Sequence, residues 1–318
     1  MKKIIFIVIS FIIFFLLLEF SIYSIFVYKQ KQMVASTNFD LPNEYNYSFK
    51  YNFIDSIINS EYTYRKKVSF GNNQKILIFG CSYAYGAQLE EEDTFGYKLA
   101  KKLNATVYNR SFPGLGLQHM YYQINNNSFD NYVQDKNIDS IIYVYMDDHI
   151  NRLYSAYWGS PFQNIFNIRY CIKNEKLKKF ETRFPFINIL FITKGIRNIA
   201  YKQYSKTNFF NKNSNELTLK LLNESHKELK AKYPNAQFIL LDYLGALSTM
   251  QKEIDNTGWS YVSTTNILPE NINLRSNEYH FENDPHPTGK AWDIIVDSIV
   301  KKRVLYWRFF SILLLLSI

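Results

Sequence analysis

The stretch Lys75-Ile76-Leu77-Ile78-Phe79-Gly80-Cys81-Ser82-Tyr83-Ala84-Tyr85-Gly86 decides how the rest of this chain reads. Four consecutive apolar residues behind a lysine have the length and character of a strand buried on both faces, as in a parallel sheet. The strand runs into a glycine, a small thiol, a serine and a second glycine. An acidic turn follows, Glu90 to Asp93, and then Phe95, Leu99 and Leu103 fall on one helical face. Open parallel sheets put their chemistry at the C-terminal edge of the strands, so Ser82 is a candidate nucleophile by position. Glycines on either side let the backbone turn sharply there. A strand followed by Gly-x-Ser is also what an ordinary turn looks like.

The same alternation continues along the chain. Ala105–Asn109, Ile138–Tyr145 and Ala236–Asp242 read as further strands, with helices at Leu117–Asn125, Glu216–Lys232 and Thr288–Val304. Strands alternating with helices predict an α/β fold, here a three-layer, flavodoxin-like sandwich around a central parallel sheet. Residues 29–72 are polar, tyrosine-rich and without period, and read as a linker and N-terminal extension. Residues 151–213 are aromatic and basic and break the pattern. They read as an insertion above the C-terminal edge of the sheet, helical in part, suited to a lid or substrate wall or to added packing alone.

Composition narrows the class. With 318 residues, 47% of them hydrophobic, the chain can bury a substantial core. The net charge of +9 comes from scattered lysines, with dense groups only near 174–179 and 300–303. A nucleic-acid surface gathers its charge into a stripe or motif, so no nucleic-acid partner is expected. Two cysteines, Cys81 and Cys171, are too few for a disulfide framework or a cysteine-based zinc site. Asp147-Asp148-His149 has metal-binding residue types, but no second cluster matches it in spacing, and no phosphate-binding glycine loop follows a strand. No cofactor or metal is expected. The start of the chain is apolar from Ile4 to Val27, 24 residues broken by Glu19 and a few polar groups. About 20 suffice to cross a bilayer core. A cleaved signal peptide is the rival, but its small-residue cleavage site is missing after Leu18. The expectation is an uncleaved anchor over 1–28, with the remainder outside the cytoplasm. The apolar tail 304–318 reads as a packed final helix or a second membrane contact.

More than 200 residues after Ser82, Asp284-Pro285-His286-Pro287 opens the last predicted helix and supplies a base and a carboxylate. A serine hydroxyl is a weak nucleophile until a base takes its proton, so the two blocks complement each other. Taken together, Gly80-Cys81-Ser82 to Gly86, then Asp93-Thr94-Phe95, then Asn109-Arg110-Ser111-Phe112-Pro113-Gly114-Leu115-Gly116, then Asp284 to Lys290 resemble the SGNH/GDSL hydrolase superfamily. They are most similar to a bacterial branch with Gly-Cys-Ser in place of Gly-Asp-Ser. The match runs over roughly residues 74–303 in block order, and the expected hydrolase domain is 73–303. The resemblance implies Ser82 as nucleophile, His286 as general base and Asp284 as the carboxylate that orients it. It also implies an oxyanion site from the backbone N–H groups of Ser82 and Gly116, with Gly114 as the lesser choice for the second.

Three departures from the family pattern leave alternatives open. Cys81 stands where the family has aspartate, which raises a cysteine nucleophile as a rival. Asn283 holds the usual position of the triad carboxylate, so a Ser-His dyad or a Glu282 partner stands beside Asp284. The family's oxyanion asparagine belongs after Tyr145, where this chain has Met146-Asp147-Asp148-His149-Ile150-Asn151. An ionised aspartate accepts hydrogen bonds and cannot donate one, so Asp147, Asp148, His149 and Asn151 compete for that role. His119, His226 and His280 read as ordinary. The functional expectation is a membrane-anchored serine esterase acting on an acyl ester, of which an O-acetyl group on an envelope or secreted glycan is one candidate. An O-acyltransferase using the same residues is the first rival. A catalytically silent glycan-binding or assembly protein is the second. Sequence leaves the oligomeric state open.

Overall fold

The computed structural model describes residues 65–130, 132, 133, 135, 137–153, 168–180, 208–282 and 284–305, together with Ser10 and Phe14. Apart from Ser10 and Phe14, the expected anchor (1–28) lies outside the described residues, as do most of the linker, most of the insertion and the tail beyond Leu305. Among the described residues, no helix is long and apolar enough to cross a membrane.

Six strands form the main sheet: β1 (Val68–Ser69), β2 (Lys75–Phe79), β3 (Thr106–Asn109), β4 (Ser140–Tyr145), β7 (Gln237–Asp242) and β8 (Ser260–Ser263). Their order across the sheet is β1-β3-β2-β4-β7-β8. Only β1 runs antiparallel, against β3; the remaining pairs are parallel. Taken alone, the five parallel strands have the flavodoxin-like order 2-1-3-4-5. Their topological switch point lies between β2 and β4, the position outside whose C-terminal edge open α/β sheets place their ligands.

Side chains alternate across this sheet and sort the core into two layers. Ile76, Ile78, Ile142, Val144, Ile239 and Leu241 pack on one face under α2 (Phe95–Leu103) and α8 (Gly289–Lys301). Leu77, Phe79, Ile141, Tyr143, Tyr145 and Leu240 face the other way, under α3 (Leu117–Asn125) and α5 (Asn208–Lys232). Helix α2 forms because Phe95, Leu99 and Leu103 share a stripe, Thr94 accepts the Tyr97 N–H at its start, and Asn104 closes it in the left-handed conformation. Its stripe meets that of α8 through Phe95 and Trp292, whose rings stand 4.8 Å apart. Lys98 ties the pair at the surface by reaching both Asp93 and Asp293.

Several local readings shift. β1 lies within the stretch read as linker, and β8 was not evident in sequence. Inside the insertion, the described residues are helical at its two ends and form a hairpin between them, β5 (Arg169–Lys173) and β6 (Lys176–Phe180). Asn174 and Glu175 both take positive φ, 51° and 62°, which is the two-residue turn that matches strand twist. The block at 284–287 does not open a helix. It forms β10 (Asp284–Pro287), paired with β9 (His280–Phe281), and α8 starts two residues later. Two prolines in four residues suit an irregular short strand better than a helical turn with its N–H ladder.

Candidate active site

The site is built at the C-terminal end of β2, beside the switch point. A Cβ on Gly80 would fall 2.8 Å from the Ala84 Cβ and 3.2 Å from the Val144 carbonyl oxygen, so the chain turns tightly against β4 only with glycine there. Ser82 then opens α1 (Ser82–Tyr85), a single turn closed by Gly86 at φ 78°. A helix this short does not hold itself. Asn109, at the end of β3, donates from Nδ2 to the Ala84 carbonyl at 2.8 Å. Arg65 donates to the carbonyls of Tyr85 (3.1 Å), Gly86 (2.8 Å) and Leu89 (2.8 Å), and pairs with Glu91. These bonds satisfy the carbonyls that α1 leaves orphaned and fix the exit from the serine turn.

From the far end of the chain, the β9–β10 hairpin delivers His286. Its Nε2 stands 2.7 Å from Ser82 Oγ. Its Nδ1 faces Asp284 Oδ1 in a short contact, and the same oxygen accepts the His286 backbone N–H at 2.8 Å. The other carboxylate oxygen accepts Gln88 Nε2. Burial works against ionising Asp284, yet the His286 N–H, the His286 ring and Gln88 outweigh it and hold the carboxyl below its ordinary value. Tyr83 packs its ring 5.1 Å from that of His286 and donates its hydroxyl to the Pro285 carbonyl at 2.7 Å. Serine, imidazole and carboxylate are thus lined up in the order that lets a base take the serine proton and a carboxylate steady the charged ring.

The open alternatives separate by position. Cys81 is fully buried within the core layer of Ile76 and Ile78, whereas Ser82 is 8% exposed and faces the imidazole. Glu282 is exposed, Asn283 lies outside the described residues, and Asp284 is the carboxylate on the His286 ring. Gly116 caps the start of α3, and its N–H donates to His119 Nδ1 at 2.9 Å. Gly114 takes φ 84° in the preceding turn.

After β4, Asp147 is half exposed and 4.0 Å from Arg275, while Asp148 lies 3.9 Å from Arg152 in α4 (Asp148–Leu153). His149 does not reach the serine: it is fully buried and its Nδ1 shares a 2.8 Å hydrogen bond with the Tyr143 hydroxyl. Burial, then Arg152 and His119, push its imidazole well below the ordinary value and keep it neutral. The side chain of Asn151 lies outside the described set. Burial, then the Cys81 sulfur and the fields of Asp148, Asp284 and Asp147, raise the Tyr83 phenol.

Sequence reasoning missed Arg65, Tyr83, Gln88 and His119. Only His119 carried a local signal, a polar side chain at the third position of a helix whose start is marked by glycine.

No protein-family model and no curated protein matches the chain. Solved structures do. An acetyl xylan esterase, Est2A, from the rumen bacterium Butyrivibrio proteoclasticus is similar at 14% identity and a TM-score of 0.39, over 73% of this chain and 64% of that one. A protein described as lipolytic and of the G-D-S-L family, from Desulfitobacterium hafniense DCB-2, is similar at 11% identity and 0.40, over 72% and 98%. The salicylyl-acyltransferase SsfX3 of a tetracycline biosynthetic pathway is similar at 11% and 0.41, over 75% and 57%.

Proposed function

We propose that this protein is a serine esterase in which Ser82 attacks the carbonyl carbon of an acyl ester. The observation that carries the reading is the 2.7 Å approach of His286 Nε2 to Ser82 Oγ, with Asp284 on the opposite ring nitrogen. His286 Nε2 takes the Ser82 proton as the Oγ–carbon bond forms, and the carbonyl electrons move onto oxygen. Asp284 accepts the Nδ1–H and stabilises the imidazolium. Collapse of the tetrahedral species expels the alcohol, which takes its proton from Nε2, and leaves an acyl group on Ser82. A water that gives its proton to the same nitrogen then attacks the acyl carbon, and collapse releases the acid as Ser82 Oγ leaves and takes that proton back from Nε2. The Ser82 N–H, at the entrance to a one-turn helix and so without a carbonyl partner inside it, is the first oxyanion donor. The substrate class is a small acyl ester, with O-acetyl groups on an envelope or secreted glycan as the candidate. The apolar segment 4–27 is its membrane anchor, with the catalytic part outside the cytoplasm.

The same acyl-enzyme resolved by a sugar hydroxyl would make the protein an acyltransferase. Asp147, an acceptor where the family pattern has a donor, favours the other rival, a silent domain. Incubating the full chain with a serine-directed fluorophosphonate and with p-nitrophenyl acetate separates the readings. Labelling and turnover that vanish in Ser82→Ala and persist in Cys81→Ala are expected. A wild-type chain that folds but takes no label and releases no nitrophenol would sink the esterase reading. Nitrophenol released only when a glycan acceptor is present, with the acetyl group recovered on the glycan and not as acetate, would convert it to transfer.

A further inference from the structure

Asp284 uses its two oxygens differently. Oδ1 accepts the His286 backbone N–H at 2.8 Å and faces the imidazole Nδ1, in the short turn by which an aspartate holds the chain two residues on. Oδ2 is taken by Gln88 Nε2 at 2.5 Å, from a residue 196 positions earlier. The torsion about the Cβ–Cγ bond of an aspartate is broad. Bonds to Oδ1 alone leave the carboxylate free to swing about that bond, whereas a donor on each oxygen sets its plane. The backbone beneath Gln88 marks the contact as more than a chance meeting of surface side chains. Residues Gly86 to Leu89 form a turn, closed by the Leu89 N–H on the Gly86 carbonyl at 3.1 Å, with Gln88 at φ 67° in its third place. Positive φ there favours glycine or asparagine, and a glutamine is strained in it. Arg65 holds the turn on both sides of Gln88, through the carbonyls of Gly86 and Leu89 at 2.8 Å each, so the conformation is imposed from outside. Gln88 is exposed, and burial does not explain a long side chain at this position. The reach to Asp284 does.

We propose that Gln88 is a positioning residue that fixes the carboxylate plane of Asp284 and so keeps Oδ1 on the imidazole while His286 takes and returns protons. The inference rests on the esterase reading. In each half of that reaction Nε2 accepts a proton and the ring becomes charged, and Oδ1 has to face the Nδ1–H at that moment. A donor already in place on Oδ2 needs no reorganisation as the charge grows. Gln88 is also among the groups that hold Asp284 ionised against its burial. Its contact is to the carboxylate and not to Ser82, so its loss acts on kcat and leaves KM alone.

The test compares steady-state hydrolysis of p-nitrophenyl acetate and thermal melts of the full chain and three variants. Gln88→Gly suits the turn and removes the amide. Its kcat is expected to fall about 3- to 10-fold, the worth of a hydrogen bond that water can partly replace, with KM within about 2-fold of wild type. Gln88→Ala lacks the same amide and keeps the strain, so it should match Gln88→Gly in kcat and melt at a lower temperature. Gln88→Glu keeps the shape, but an ionised carboxylate only accepts and sets a second negative charge beside Asp284, so kcat should fall at least as far. A Gln88→Gly or Gln88→Glu protein that melts cooperatively and keeps the wild-type kcat would overturn the proposal. So would a rate lost in Gln88→Ala and restored in Gln88→Gly, because that assigns the effect to the backbone of the turn rather than to the amide. Should the other two not fold, Gln88→Gly decides, since glycine is what the turn favours. If the wild-type chain takes no fluorophosphonate on Ser82 and releases no nitrophenol, the esterase reading fails and this inference with it. Turnover that is indifferent to Gln88 defeats this inference alone.

Discussion

Replacing Tyr83 with phenylalanine removes one oxygen and keeps the ring. That ring packs 5.1 Å from both His286 and Tyr243, so its apolar contacts survive. The lost interaction is the 2.7 Å bond from the hydroxyl to the Pro285 carbonyl. Burial, with the Cys81 sulfur and the nearby carboxylates, pushes the phenol up, so the hydroxyl is a proton donor throughout the neutral range. A neutral hydrogen bond contributes about 0.5–1.5 kcal/mol net, and an orphaned buried carbonyl costs about 1–3 kcal/mol. Pro285 is exposed, so water replaces the lost partner, and the expected stability loss is about 1 kcal/mol.

The rate effect is of comparable size. The hairpin bearing the base is fastened to the serine turn through Ser82–His286, Tyr83–Pro285 and Gln88–Asp284. Freeing the middle one widens the range of positions the imidazole samples. If the bond's worth of about 1 kcal/mol is what holds it, kcat should fall about 5-fold. KM should be unchanged, because the hydroxyl is turned toward the hairpin backbone. Urea unfolding and steady-state hydrolysis of p-nitrophenyl acetate measure the two numbers on one preparation. A variant that loses the stability but keeps the wild-type kcat would refute the claim that Tyr83 positions the base.

Three further outcomes are expected. Arg65→Ala strips three carbonyls and Glu91 of a charged donor and should lower stability by about 2–3 kcal/mol; fluorophosphonate labelling of Ser82 should slow with it, and unchanged labelling would show that the turn holds without Arg65. Gly86→Ala forces a Cβ to φ 78° and to within 2.7 Å of Thr94 Cγ2, costing about 1–3 kcal/mol in thermal or urea melts. For His149 the folded imidazole is depressed relative to the unfolded one, which titrates near 6.5. Its contribution is therefore complete above that pH and is lost as pH falls from about 6.5 toward the depressed value. His149→Gln should flatten the loss of stability between pH 7 and 5, by at most one proton's worth, about 1.4 kcal/mol per pH unit. An unaltered slope would remove His149 from the account.

The parallel sheet was legible because its strands are apolar on both faces. Ile76 to Phe79 and Ile141 to Tyr145 admit few other readings, and turn residues bound them. The edge pieces were not legible: Val68–Ser69 offers two residues and no period, and the turn at Asn174-Glu175 sits among lysines that look like solvated loop. In the candidate site, residue types and their order could be read, but not what touches what. Ser82 and His286 are 204 positions apart and Tyr83 and Pro285 are 202 apart, so no local pattern announces either contact. Arg65 was hidden for the same reason, as its partners begin 20 residues later. His119 is the instructive miss. It sits on an amphipathic helix like any packed histidine, and its bond to Gly116 shows only once the glycine is recognised as the cap.

The distance along the chain between Ser82 and His286 also bears on how such a protein can change over generations. The entropy of bringing two points of a flexible chain together grows only with the logarithm of the intervening length, about 0.6 kcal/mol for each doubling. Adding 20 residues between partners already 204 apart changes that cost by about 0.1 kcal/mol. The meeting of serine and imidazole is set by the sheet edge and the hairpin fastened to it, so the connecting chain can lengthen, shorten or be replaced while the pair stays in register.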